Sequence, residues 1–150
     1  MSSENVVTVE RLVAAPADRI FALLSDAGRH QALDGSGTVQ GTRSESEPLS
    51  KGSTFGMSMK QGLPYSTKNV VVEFEQDRRI AWQTTGLFGL VGGRIWRYEL
   101  VPEGGSTIVR ESWDISRDKQ RFALRRSSLP ATTKRNMERT LENLARAVEA

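Results

Sequence analysis

The sequence predicts an α+β domain: a curved antiparallel sheet of about seven strands wrapped around one long C-terminal helix, with two short helices after the first strand. Three observations point there. A β-branched run, Val6–Val13, opens the chain. Alternating apolar and polar segments separated by turn residues fill its middle. A helical stripe, Met137, Leu141, Leu144 and Val148, closes it. The alternation predicts strands with one buried face, and a stripe at helical spacing must bury itself against that face.

Residues 5–13 read as a strand on their β-branched content. Pro16 suits a first helical position. Ala17, Ile20, Phe21 and Leu24 then share one helical face, and Asp26-Ala27-Gly28 ends that helix. A second short helix is expected over 29–33, before Asp34-Gly35-Ser36-Gly37. Strands are expected over 38–45, 53–61, 66–76, 79–85, 93–101 and 107–115. In the third of these Val70, Val72 and Phe74 alternate with Asn69, Glu73 and Glu75. Ile80, Trp82 and Thr84 form one row, and Trp96, Tyr98 and Leu100 another. Val109, Glu111, Trp113 and Ile115 form the last. Pro102-Glu103-Gly104-Gly105 is a hairpin turn. Residues 116–129 are basic and irregular, and Pro130 opens the final helix.

The 150 residues fit a single domain spanning the whole chain, long enough to bury a real core. There is no cysteine, which excludes disulfides, thiolate metal sites and cysteine nucleophiles, and the single histidine excludes any histidine-pair metal site. No dinucleotide, Walker, EF-hand or Gly-x-Ser-x-Gly pattern occurs. No cofactor or metal is expected. No apolar stretch is long enough to span a bilayer, and the polar N-terminus shows no signal-peptide pattern, so a cytoplasmic location is expected. The net charge is +3, with the excess in residues 115–150. That basic stretch is modest for nucleic acid, so no specific nucleic-acid partner is expected. It is compatible with a solvated helix face or with peripheral membrane contact.

Three stretches carry a family resemblance: Val13-Ala-Ala-Pro-Ala-Asp-Arg-Ile-Phe-Ala-Leu-Leu-Ser-Asp26, Gly93-Arg-Ile-Trp-Arg-Tyr-Glu-Leu-Val-Pro-Glu-Gly-Gly-Ser-Thr-Ile-Val-Arg-Glu111, and the C-terminal amphipathic helix. With them the chain resembles the START-like (SRPBCC) superfamily, and within it the bacterial polyketide cyclase/dehydrase-type branch. One departure is His30-Gln-Ala-Leu-Asp34, where relatives often carry a Trp-x-x-Trp-like pair. The resemblance implies the helix-grip fold and an elongated cavity between sheet and helix. Empty volume in a core is costly, so a retained cavity implies a ligand, and an apolar wall implies an apolar one. The expected wall is Phe55, Met57, Met59, Val72, Phe74 and Trp82, continued by Thr84, Trp96, Tyr98, Val109, Glu111 and Trp113, with Met137 and Leu141 from the helix. Any one of these residues taken singly is expected to fill a core, and the set taken together is expected to line the cavity.

An inward Glu111 would need a hydrogen-bonding partner or a raised pKa. Arg94, at the head of the Trp96 row, is one candidate partner, or a holder of an anionic ligand group, or simply a solvated strand end. Thr84 and Tyr98 can donate to a ligand oxygen or to nearby backbone. His30 is a convenient base in a cyclase, or an exposed or capping residue. Gly86–Gly93 joins two strands with Leu87, Phe88, Leu90 and Val91, an apolar set expected to act as a lid, as a dimer contact, or as packing on the last helix. The expected function is binding of a hydrophobic small molecule, such as a lipid or polyketide, for transport, storage or sensing, by a monomer or homodimer. The alternatives are a cyclase, aromatase or dehydratase using Glu111, Tyr98, Arg94 or His30, and a regulatory or membrane-surface protein using the basic 117–135 segment.

Overall fold

In the computed structural model, described for residues 5–26, 30, 39–42, 49–61, 63–86 and 91–149, the chain forms an antiparallel sheet with its helices on one face. For residues 39–42, 55–61, 63–66 and 91 the backbone alone is described. The strands are β1 (Val6–Val13), β2 (Val39–Thr42), β3 (Thr54–Gln61), β4 (Leu63–Glu75), β5 (Arg79–Gly86), β6 (Val91–Glu103) and β7 (Ser106–Asp114). The helices are α1 (Ala17–Leu24), α2 (Arg121–Arg126) and α3 (Leu129–Glu149). Sheet order is β1-β7-β6-β5-β4-β3-β2, with every neighbouring pair antiparallel. All pairs but β1–β7 join consecutive strands, so the chain zigzags from β2 to β7 and β1 closes beside β7.

Pro16 is the N-cap of α1 rather than its first residue, in extended conformation at φ −73°. An N-cap needs no N–H, so proline costs nothing there. Ile20, Phe21 and Leu24 are buried on the expected face. The second short helix expected over 29–33 falls outside the described residues, apart from His30.

The final helix buries Thr133, Met137, Thr140, Leu141, Leu144, Ala145 and Val148, the expected stripe and its flanks. It packs on β1 and β7, at one side of the sheet, and touches α1. Its apolar buried residues join Val9, Val13, Val109, Trp113, Tyr98, Leu100, Ile80, Trp82 and Val71 in one cluster with Ile20, Phe21 and Leu24. Fully burying one such aliphatic side chain is worth about 1.5–3 kcal/mol, so this cluster is the main stabilising contact of the fold.

Two expectations fail. The first concerns β4, where the register slips between Val71 and Glu73. This bulge gives two residues to one partner and reverses the facing of the strand before it. Val71, opposite Trp82, is buried, and so is Asn69, opposite Thr84. Val72 sits at the bulge, half-buried, and Val70 pairs with outward Gln83, so Val71 is the residue in register with Trp82 on the inner face. The second concerns residues 116–129, read as irregular. Asp118 is fully buried there and accepts the Gln120 N–H at 2.8 Å through Oδ1, just ahead of the short helix α2.

The outer face of the sheet is held by charge. Ala81 lies between Glu73 and Arg97 in register and has no exposure. Its small side chain lets Arg97 reach over β5 to Glu73 with both ends of its fork, at 2.9 and 2.6 Å. Asp114 lies 3.8 Å from the same guanidinium. The Arg97 hydrogen bond holds the Glu73 carboxyl below its ordinary value, against the opposing effect of burial. A carboxyl with a folded pKa below its unfolded one stabilises the fold above the unfolded value, and loses that contribution as pH falls through the folded one. Glu73→Gln should therefore flatten the fall in stability below about pH 4, read by urea unfolding at stepped pH. An unchanged slope would contradict this role for the pair.

Candidate functional site

Register places the rows of the inner face. One row runs Val9, Glu111, Tyr98, Ile80, Phe74, and the next runs Val7, Trp113, Trp96, Trp82, Val71. Glu111 is thus a carboxyl in an apolar row, 2% exposed. It faces inward because the β7 register is unbroken, which keeps it in phase with buried Thr107, Val109 and Trp113. Across the β6–β7 pair the Tyr98 hydroxyl donates to Glu111 Oε2 at 2.9 Å, and both groups are buried. Burying such a group is tolerable only with hydrogen bonds like this one.

Aromatic rings continue from the pair. Trp82 lies 5.7 Å from Tyr98 between ring centroids, and Trp96 lies 6.4 Å from Trp113. His30 stacks on Trp82 at 4.8 Å and 19°. Its Nε2–H donates to the Leu24 carbonyl at 3.0 Å, at the end of α1. The exposed histidine among the expectations is corrected: His30 is 7% exposed, and it caps the helix from inside.

A second polar group lies one row further on. Thr84 donates to Asn69 Oδ1 at 2.6 Å, and Asn69 Nδ2 donates to Thr67 at 3.3 Å. Arg94, in register with Thr84, does not serve Glu111. Its Nε donates to Asp118 Oδ2 at 3.0 Å and ties the start of β6 to the loop before α2. Gly93 makes this approach achievable, since a Cβ there would stand 2.7 Å from the Arg117 carbonyl oxygen. Thr84 and Tyr98 therefore both donate to side chains rather than to backbone.

Of the expected wall, Trp82, Tyr98, Val109, Glu111, Trp113, Met137 and Leu141 are buried in the core, and Trp96, Phe74 and Thr84 are half-buried beside it. The side chains of Phe55, Met57, Met59 and Val91, and residues Leu87, Phe88 and Leu90, lie outside the described residues. Asn69 and Asp118 were missed. Asn69 is hidden from alternation by the bulge, and Asp118 sits in a segment with no period at all. Phe74 also borders a separate cleft of about 420 Å³, shared with Asp18, Ala22, Ser25, Asp26, Leu49, Gln76 and Asp77. Among the described residues no group of three His, Cys, Asp or Glu could hold a metal ion. No helix among them is long and apolar enough to cross a membrane.

A mostly apolar inner face with one buried phenol–carboxyl pair packs under the C-terminal helix, which is the helix-grip arrangement. A family model described as polyketide cyclase/dehydrase and lipid transport matches residues 5–149, and the chain belongs to that family. An uncharacterised Mycobacterium tuberculosis protein, Rv0088, is 40% identical over 104 residues, covering 68% of this chain and 44% of that one. The chain thus spans less than half the length of that relative. Among the solved structures that share the fold are two from different settings. One is a protein from Arthrobacter aurescens, with TM-score 0.78, 11% identity and coverage of 99% and 90% of the two chains. The other is DynU16, a protein in the dynemicin biosynthetic locus, with TM-score 0.71, 19% identity and coverage of 97% and 48%.

The Tyr98–Glu111 bond has a measurable cost of removal. Tyr98→Phe deletes one donor to a buried carboxyl and should destabilise by about 1–3 kcal/mol. Replacing both partners by apolar groups, Tyr98→Phe with Glu111→Leu, should recover part of that loss. Urea unfolding of the single and double variants checks this. A neutral Tyr98→Phe would show that the bond carries no weight.

Proposed function

We propose that the chain binds a hydrophobic, ring-bearing small molecule between the inner face of the sheet and α3, and that the Tyr98–Glu111 pair recognises a polar oxygen on it. The observation that carries this reading is the buried carboxyl. A core needing only stability gains nothing from Glu111, because an apolar residue of similar size would serve as well or better. A site that must orient a mostly apolar guest needs one or two polar groups in an apolar wall. Trp82, Trp96 and Trp113 form that wall in the adjoining row, and flat rings stack on such side chains in offset or tilted arrangements. Asn69 and Thr84 offer a second polar contact one row away. Family membership supports a hydrophobic ligand.

The same pair supports a second reading, catalysis on a polyketide-like chain. A carboxyl beside a phenol in a dry site can take a proton from carbon and return one to oxygen. The setting of DynU16 in a biosynthetic locus is consistent with such chemistry in a protein of this fold. Binding is the reading common to both.

The test is mass spectrometry of organic extracts of the purified protein, followed by titration with a hydroxylated anthraquinone monitored by tryptophan quenching. Wild-type protein should bind the probe, and Glu111→Gln and Tyr98→Phe should each weaken it about tenfold, the scale of one lost hydrogen bond. No probe binding together with ligand-free extracts would contradict the reading. Conversion of the probe or of an added polyketide chain, lost in Glu111→Gln, would favour catalysis.

A further inference from the structure

We propose that α2 and the first turns of α3 form a docking surface for anionic phospholipid membranes, with Phe122 as its apolar anchor. From Lys119 to Met137 the sequence contains Lys119, Arg121, Arg125, Arg126, Lys134 and Arg135 and no acidic residue. The nearest preceding acid, Asp118, has no exposure and is bonded to Arg94. It therefore does not offset the outward charge. Lys119 and Arg126 are exposed, and α2 packs against α3, where Lys134 and Arg135 are exposed one turn before the exposed Glu138, so the surplus of positive charge centres on α2.

Phe122 stands among them at 57% exposure, while Leu124 and Leu129 turn inward and pack on the core. A six-residue helix could have turned a polar residue outward instead. The guanidiniums of Arg121 and Arg125 lie 4.7 and 5.5 Å from the centre of the Phe122 ring.

An exposed ring encircled by cations suits a surface that is apolar below and anionic above. The ring enters the acyl boundary while the arginines stay with the phosphates. Nucleic acid shares the phosphate chemistry but calls for an open ring face on which a base can stack. Here guanidiniums lie over the ring. The charge and the ring together therefore favour the lipid surface. The Lys119 N–H also donates to the Gly92 carbonyl, so the patch is fastened to the start of β6, the strand that carries Trp96 and Tyr98.

Flotation with vesicles of phosphatidylcholine containing 30% phosphatidylglycerol, compared with pure phosphatidylcholine, tests this on the full chain. Wild-type protein should float with the anionic vesicles at low salt, stay behind with the neutral ones, and lose most binding at high salt. Arg121→Gln with Arg125→Gln should weaken partition by about fivefold per arginine. Phe122→Ser should weaken it about tenfold and leave the salt dependence unchanged. Arg110→Gln, a charge removed from the outer face of the sheet, should leave partition unaltered. The replaced side chains lie outside the core, and matching thermal unfolding of each variant checks that the fold is kept. Failure of wild-type protein to float with anionic vesicles would overturn the proposal. So would equal binding to neutral vesicles, insensitivity to the paired arginine replacement, or tighter binding to a short DNA duplex than to the vesicles.

Discussion

Everything in this fold turns on a conflict inside the sheet: its inner face must be apolar enough to hold α3 and α1, yet it encloses a carboxyl. The conflict is resolved by register. Glu111 and Tyr98 are directly opposed across β6 and β7, so the phenol reaches the carboxyl without either side chain leaving its row. A slip of one residue would carry Glu111 to the outer face and Ser112 inward. The uninterrupted pairing of Ile95–Glu103 with Ser106–Asp114, closed by the two-residue turn at Gly104-Gly105, prevents that slip.

The two faces divide the work. The outer face fixes strand order through Arg97 and Glu73, reaching across a residue small enough to let them meet. The inner face carries the apolar rows and the buried Tyr98–Glu111 pair. Helix α3 covers the β1–β7 side, and the aromatic rows run from beneath it toward β5 and β4. At that far side α1 and His30 meet the sheet: Phe21 packs edge-on against Phe74 at 5.4 Å, and His30 lies flat on Trp82. The inner face is therefore covered by the longest helix on one side and by local, short elements on the other.

Much of this was legible in the sequence. The α3 stripe, the α1 face and the inward row of β7 all follow from periodicity, because each has polar residues fixing its phase. Glu111 was visible in the row of Val109 and Trp113 for that reason, and its inward facing is what the structure adds. The phase of β4 was not legible: Val70, Val71 and Val72 are apolar on both faces, so alternation cannot say where a bulge falls. His30 could not be placed either, since its burial rests on stacking with Trp82, far away in the chain. Arg94 looked like a partner for Glu111 only because no local signal reveals the Asp118 contact, and α2 is too short to show a helical period.

The central claim is that the Glu111 carboxyl, held by Tyr98 in an apolar wall, is where a guest is recognised. NMR of protein carrying ¹³C-labelled glutamate and ¹⁵N-labelled tryptophan indoles, with and without a hydroxylated anthraquinone, tests it most directly. The account predicts that the Glu111 carboxyl carbon and the Trp82 and Trp96 indole signals shift together and saturate at one concentration. Shifts confined to surface residues, with Glu111 and both indoles unmoved, would contradict it.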